Sequence, residues 1–259
     1  SPSKVAKRKR LLPARNREYD RFAWLYAHHW GSDFHAEALP ALRRLFLDRL
    51  TPQSSVLDLC CGDGRLIHQL IQAGYRAAGL DSSEKMLAYA RRRNPGAKLI
   101  LGDARDFHPR MRFDAVISTF DSLNHILRQD ELRSVFRNVH ACLKPGGYFA
   151  FDLNREEAYL NLWTIPWFKV TDTMVAVAQG SYDPEIGIAI CEIAQLRRGS
   201  AWKRSDFALT QRFHPAREVI EGLKAAGFTA IRETDARTLG MTGSLRAGRS
   251  FYLARKAFK

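Results

Sequence analysis

The chain has 259 residues, of which 46% are hydrophobic and 26% charged, an ordinary globular composition that excludes collagen-like, low-complexity and wholly disordered chains. Lys and Arg number 41 against 27 Asp and Glu, a formal net charge of +14. No apolar run approaches the roughly 20 residues of a spanning helix, which argues against a membrane-embedded protein.

Cys60, Cys61, Cys142 and Cys191 form no C-x-x-C pair, so neither a disulfide framework nor structural zinc is expected. A reducing, cytoplasmic compartment follows as the expectation. Charge is uneven along the chain. Lys4, Lys7, Arg8, Lys9, Arg10, Arg15 and Arg17 all precede the first acid, Glu18, and carry half of the net charge. No apolar core follows Lys4 to Arg10, so the run is not read as a secretory signal. A solvated tail over residues 1–17 is the plainer reading; the alternative is an anchor for RNA, DNA or anionic lipid.

After the tail, Tyr19 to His29 reads as an aromatic-rich helix. His35 to Leu50 is amphipathic, with Leu39, Leu42, Leu45, Phe46 and Leu50 at helical spacing, and Thr51-Pro52 stops it. Ser55 to Leu59 predicts a buried strand and Arg65 to Gly74 a helix. Ala77 to Leu80 is a second strand, and Ser82-Ser83-Glu84 caps a helix through Arg93. Lys98–Leu101 and Phe113–Ser118 predict two further strands. Asp130 to Leu143 follows as a helix, Lys144-Pro145-Gly146-Gly147 as a turn and Tyr148 to Leu153 as a fifth strand. Strands alternating with helices predict a parallel sheet covered on both faces.

The pattern then changes. Phe168 to Tyr182, Gly187 to Arg197 and Trp202 to Phe213 are β-rich, separated by Asp183-Pro184-Glu185 and Arg198-Gly199-Ser200. They predict an antiparallel meander. A helix from Pro215 to Ala226, closed by Gly227, precedes two last strands, Phe228–Glu233 and Phe251–Arg255, with a loop over 234–250. The expected fold is α/β: a Rossmann-like, doubly wound, mostly parallel seven-stranded sheet with an inserted antiparallel β meander. Expected units are the tail 1–17, a core 18–154 with an N-terminal helical lid, the insert 155–214 and a completion of the core sheet over 215–259.

Val56-Leu57-Asp58-Leu59-Cys60-Cys61-Gly62-Asp63-Gly64-Arg65-Leu66 is a strand, a glycine turn and a helix start, the place where such sheets bind nucleotides. A dinucleotide fingerprint needs a third glycine where Ile67 stands, so NAD and FAD rank below another nucleotide. A Walker loop is excluded because no Gly-Lys-Ser/Thr follows.

These residues resemble the class I S-adenosylmethionine-dependent methyltransferases. The resemblance rests on Asp58 to Gly64, on Asp81 ending the second strand, on Gly102-Asp103-Ala104, on Phe113-Asp114-Ala115-Val116 to Phe120, and on Lys144 to Gly147, five motifs in order. Cys60 departs from the pattern, where Gly or Ala is usual. The resemblance implies S-adenosylmethionine as cofactor, with Tyr26, Asp58, Cys60, Gly62, Gly64, Asp81, Ser82, Met86, Asp103, Ala104 and Phe120 around it. Gly62 and Gly64 would line its methionine part, Asp81 would accept both ribose hydroxyls, and Asp103 would accept from the adenine amine. Within the family, Tyr19-Asp20 with Tyr26, Phe120 to Ile126, and Gln211-Arg212-Phe213-His214 look most like N-methyltransferases of amino sugars and glycine.

Methyl transfer is an in-line displacement that needs alignment and exclusion of water. His125, just past the fourth strand, is the candidate base, and Tyr19 the ring that would close over the sulfonium. Trp163, Trp167, Trp202 and Phe207 would wall an apolar pocket or simply pack. Cys60 and Cys61 read as small loop residues, and His28, His29 and His35 match no metal site. The acceptor expected is a small molecule, an amine first, with hydroxyl or carbon open. The alternative is an RNA or protein methyltransferase that uses the basic tail. A homodimer through the antiparallel insert is a further possibility.

Overall fold

The computed structural model describes residues 17–108, 111–243 and 247–258. The basic segment therefore lies, but for Arg17, outside the described residues. Helix α1 (Arg17–Leu25) gives way to a π-helical turn, Tyr26–Trp30, and then to α2 (Ser32–Leu45) and a 3₁₀ turn at Leu47–Arg49. The core follows as β1 (Ser55–Leu59), α3 (Arg65–Gln72), β2 (Arg76–Asp81), α4 (Glu84–Arg93), β3 (Lys98–Leu101), β4 (Phe113–Ser118), α5 (Gln129–Cys142) and β5 (Leu143–Asn154). Next come α6 (Glu156–Asn161), β6 (Trp167–Thr171), β7 (Met174–Asp183), β8 (Ile188–Arg198) and β9 (Trp202–Arg212). Finally α7 (Ala216–Ala225) leads to β10 (Phe228–Asp235) and β11 (Arg249–Lys256).

The seven core strands stand in the order β10-β11-β5-β4-β1-β2-β3. All neighbours pair parallel except β11, which is antiparallel to both β5 and β10. β1 is buried at every position, Ser55 and Asp58 included. Its side chains divide with a period of two. Leu57 and Leu59 pack with Leu132, Phe136 and Val139 of α5 and Val219 of α7 on one face. Val56 packs with Leu42 and Leu45 of α2 and Leu66 of α3 on the other.

Two of the sequence motifs are structural. The Asp114 carboxylate accepts from Ser55 N at 2.8 Å, Ser55 Oγ at 2.7 Å and Lys144 Nζ at 2.8 Å, tying β4 to β1 and to the start of β5. Those donors hold it below the usual carboxylate range against its partial burial. The Lys-Pro-Gly-Gly turn is a looped-out stretch within β5, between the pairs Phe113–Leu143 and Ala115–Tyr148.

The second sheet, β6-β7-β8-β9, is fully antiparallel. The stretch from Phe168 to Tyr182 is two strands rather than one, because Asp172-Thr173 forms a two-residue hairpin turn with Thr171 opposite Met174. That turn carries no glycine to mark it. Helix α6, six residues long, is too short to show a helical period. Met174, Ala176, Ala178, Ile193, Phe207 and Leu209 of this sheet bury against Phe22, Ala23 and Leu25 of α1. The insert thus clamps the N-terminal helix across the carboxyl ends of the parallel strands. Among the described residues no helix is long and apolar enough to cross a membrane.

Candidate active site

A cavity of about 700 Å³ opens at the carboxyl end of the parallel sheet, roofed by α1 and closed on the far side by β7, β8 and β9. This is the crevice in which open α/β sheets bind ligands.

The β1–α3 loop forms one wall. Cys60, Gly62 and Gly64 all adopt left-handed backbone, at φ 63, 53 and 76°. Cys60 and Gly62 line the cavity. A Cβ on Gly62 would stand 3.3 Å from the Tyr26 ring, so the absent side chain lets the lid approach. Gly64 does not line the cavity. It caps α3, and a Cβ there would lie 2.8 Å from Asn94 Nδ2 and 2.9 Å from the Ala90 Cβ. There it packs α3 closely on α4. Asp58 is likewise buried within β1 and outside the cavity wall. Burial, with Asp81 and Asp63 nearby, pushes its carboxyl well up. Burial also raises the Cys60 and Cys61 thiols, which keeps both protonated and unreactive.

Asp81 ends β2 on the same wall. One oxygen accepts from Gly62 N and the other from Ser83 N, each at 2.8 Å. Burial nevertheless pushes its pKa up to about 6, the backbone donors working against that. Each oxygen keeps further acceptor capacity beyond its one backbone bond. Ser82, Met86 and Ala104 line the adjoining surface. Asp103 lines it too, but Arg105 grips the carboxylate through Nε at 2.8 Å and through its terminal nitrogen. Arg105 also reaches Glu131 at 3.4 Å. The guanidinium thus takes up acceptor capacity of Asp103 that the motif by itself leaves open.

The roof is built by helical spacing. Tyr19, Phe22 and Tyr26 share one face of α1 and its π turn and face the cavity, with Trp30 beyond them. Among the bonds that anchor this lid, Ser83 Oγ donates to Asp20 at 2.6 Å, Arg65 donates to Ala27 O at 2.6 Å, and the Tyr26 hydroxyl meets His35 Nε2 at 3.1 Å. Burial raises the Tyr19 and Tyr26 phenols well above their ordinary range, so both are neutral. It lowers His35 to about 3, leaving a neutral imidazole in the core. His28 stacks on Trp24, and the three N-terminal histidines gather no ligand set. Among the described residues no cluster of His, Cys, Asp and Glu is arranged to hold a metal.

The far end holds a buried polar network. His125 Nδ1 lies 2.8 Å from Thr210 O, which only an N–H satisfies. Its Nε2 is then the acceptor, and it receives the Gln211 amide at 2.9 Å. The second amide hydrogen of Gln211 goes to Asp121, while its carbonyl accepts from the Tyr159 hydroxyl at 2.8 Å and from Asn154 at 3.2 Å. Burial lowers the His125 pKa, the nearby Asp121 opposing. Both ring nitrogens are therefore engaged and the ring is neutral. The candidate base is thus a neutral imidazole whose Nε2 is met by the Gln211 amide. Its edge packs against Tyr19, centroids 5.1 Å apart.

Arg249, 3% exposed at the side chain, bridges Asp121 at 2.8 Å and Asp152. Phe120 and Asp121 are consecutive left-handed residues at φ 62 and 51°, a costly pair for non-glycine side chains. Asp121 N donates to Asp152, and Phe120 stacks on Phe34 at 4.4 Å, which together hold the turn. Phe120, Asp121, Gln211, Asn154 and Arg249 all line the cavity. Asp121 and Arg249 lie 128 residues apart, and no local pattern links them. Of the candidate wall aromatics, Trp163 and Trp167 line the cavity, Phe207 is buried under α1, and Trp202 is 46% exposed on the β8–β9 hairpin.

Residues 56–147 match a family described as a methyltransferase domain. The dTDP-3-amino-3,6-dideoxy-α-D-glucopyranose N,N-dimethyltransferase of Streptomyces fradiae is 42% identical over 120 residues, 45% of this chain and 46% of that one, so the match spans about half of that relative. The solved structure of DesVI from Streptomyces venezuelae superposes with a TM-score of 0.72 at 27% identity, covering 93% of this chain and 97% of that one. An S-adenosylmethionine-dependent methyltransferase from Clostridium acetobutylicum superposes at 0.76 with 22% identity, covering 92% and 99%.

Proposed function

We propose that this chain, a class I S-adenosylmethionine-dependent methyltransferase, moves its cofactor's methyl group to an amine of a small, sugar-like acceptor. One observation carries the reading. A single roofed cavity joins a wall of acceptors after β1, β2 and β3 to a second wall of buried polar groups under the insert. The name borne by the Streptomyces fradiae relative supports an amine as the acceptor.

The residues present fit the cofactor. Left-handed Gly62 leaves room beside Tyr26, and each Asp81 oxygen has capacity beyond its backbone bond. Asp81 would take the ribose hydroxyls, Ala104 and Asp103 would stand beside the base, and Cys60 and Gly62 would border the amino-acid part. Bound there, S-adenosylmethionine supplies an electrophilic methyl on a sulfonium.

The chain's own groups do the rest. Tyr19, Phe22 and Tyr26 exclude water and offer ring faces to a positive charge. Glu18 lines the cavity, and its Oε2 is buried without a hydrogen-bond partner among the described residues. It is the natural acceptor for an amine N–H and for the proton that a methylated amine must shed. Gln211 holds the neutral His125 ring against Tyr19, so that these two shape the acceptor's place rather than move its proton.

The test is transfer of a labelled methyl group from the cofactor in a cell extract that is then separated by size. Label in the small-molecule fraction, on nitrogen, is expected. Label only in RNA or protein would replace this reading with the macromolecular one.

A further inference from the structure

A second cleft, of about 600 Å³, lies on the outer side of α1, between α4 and the β8–β9 hairpin. It is distinct from the cavity. Tyr19, Phe22 and Tyr26 face inward, whereas Arg21 and Trp24 face this cleft.

Its rim is strongly basic. Arg21, Lys85, Arg92, Arg197, Arg198, Lys203 and Arg204 line it, all exposed, against one acid, Asp20. Asp20 is already occupied by the Ser83 hydroxyl. Arg204 pairs with Asp206; among the described residues, the other six cations have no carboxylate within ion-pair distance. The Arg197 guanidinium is held 3.7 Å over the Trp24 ring, positioned without being neutralised. Like charges gathered this closely repel one another and favour a bound polyanion. At the floor, Gln195 is 3% exposed and its Oε1 is buried with no partner. A buried amide oxygen left open asks for a donor, which a nucleobase or a ribose hydroxyl provides and a bare phosphate does not.

We infer that this cleft binds a single-stranded RNA segment, phosphates on the rim cations and a base or 2′-hydroxyl on Gln195, as a docking site separate from the methyl acceptor site. The concave shape favours a threaded strand over a flat membrane. Seven further cations precede Glu18 in the sequence that leads into α1.

The test uses the full chain and a fluorescent single-stranded RNA 20-mer, with anisotropy read from about 50 to 200 mM salt. Six phosphate contacts predict a log–log slope near −4, a loss of about 300-fold over that range. Reversing two rim charges, R198E with K203E, should weaken binding and make the slope shallower by about 1.4. The reversal K85E with R92E, on the opposite wall, should do the same. Unchanged S-adenosylmethionine affinity by calorimetry confirms that each variant is folded. The inference is overturned if both double variants bind RNA as the parent does. It is equally overturned if changing Lys4, Lys7, Arg8, Lys9 and Arg10 to Gln abolishes all binding, or if anionic phosphatidylserine vesicles bind and RNA does not.

Discussion

Replacing Asp81 with Asn should weaken S-adenosylmethionine binding by about two orders of magnitude and leave the fold close to its original stability. Asp81 is 8% exposed, and burial lifts its pKa from 3.8 to about 6. Keeping it ionised at pH 7 therefore costs the folded state about 3 kcal/mol. An amide removes that cost. It also has one acceptor oxygen where the Gly62 and Ser83 N–H groups, both at 2.8 Å, require two. The N–H left facing an NH₂ costs about 1–3 kcal/mol, so the two effects largely cancel. Cofactor binding has no such compensation. Two charge-assisted bonds to ribose hydroxyls become at most one neutral bond, a loss of about 2–4 kcal/mol, or about 30- to 1000-fold in Kd. Calorimetric titration measures the affinity, and thermal melts at pH 7 and pH 5 measure the fold. The sign of the pH effect follows from the raised pKa. The folded protein binds this proton more tightly than the unfolded chain, so this group's contribution to stability grows as pH falls through 6 toward 4. The variant should lack that contribution. An affinity within threefold of the parent would refute the ribose assignment. A melting midpoint lowered by more than about 10 °C at pH 7 would refute the stability argument.

Gly64→Ala should destabilise by about 3 kcal/mol, from left-handed strain and contact with Asn94 and Ala90, and should lower the thermal midpoint by about 10 °C, with the remaining folded protein still binding cofactor. His125→Ala should cut kcat by about 10- to 100-fold and leave the inflection of the pH–rate profile in place, since the ring is held neutral; loss of the acid limb would restore His125 as the base. Arg249→Met should cost about 3–5 kcal/mol in denaturant melts, because it strands Asp121 and Asp152 in the interior. Burial lowers His214 to about 4, so its contribution is present above pH 6.5 and is lost as pH falls toward 4; His214→Gln should remove about 2 kcal/mol of the acid sensitivity between pH 7 and 5, measured by urea unfolding.

The proposed cofactor wall is legible in the sequence because its signals are local. A strand, its glycine turn and the acids ending the next two strands are set by short-range chemistry, and chain order places them at one sheet edge. The same local signals do not show that Gly64 packs α3 on α4 or that Asp58 is buried inside β1. The acceptor wall is another matter. Gln211 meets His125 across 86 residues and Arg249 meets Asp121 across 128, so no window of sequence holds both partners. Arg105 stands two residues from Asp103, yet only the fold turns its guanidinium back onto that carboxylate. The sequence by itself determined the alternating α/β core, the glycine loop and the charge, because hydrophobic period and turn chemistry act over a few residues. Tertiary structure alone decided the protonation of His125, the buried Asp121–Arg249–Asp152 bridge and the separation of the basic cleft from the cavity by one helix. A proton's place and a charge's cost depend on burial and on partners brought from distant segments, and those exist only once the chain has folded.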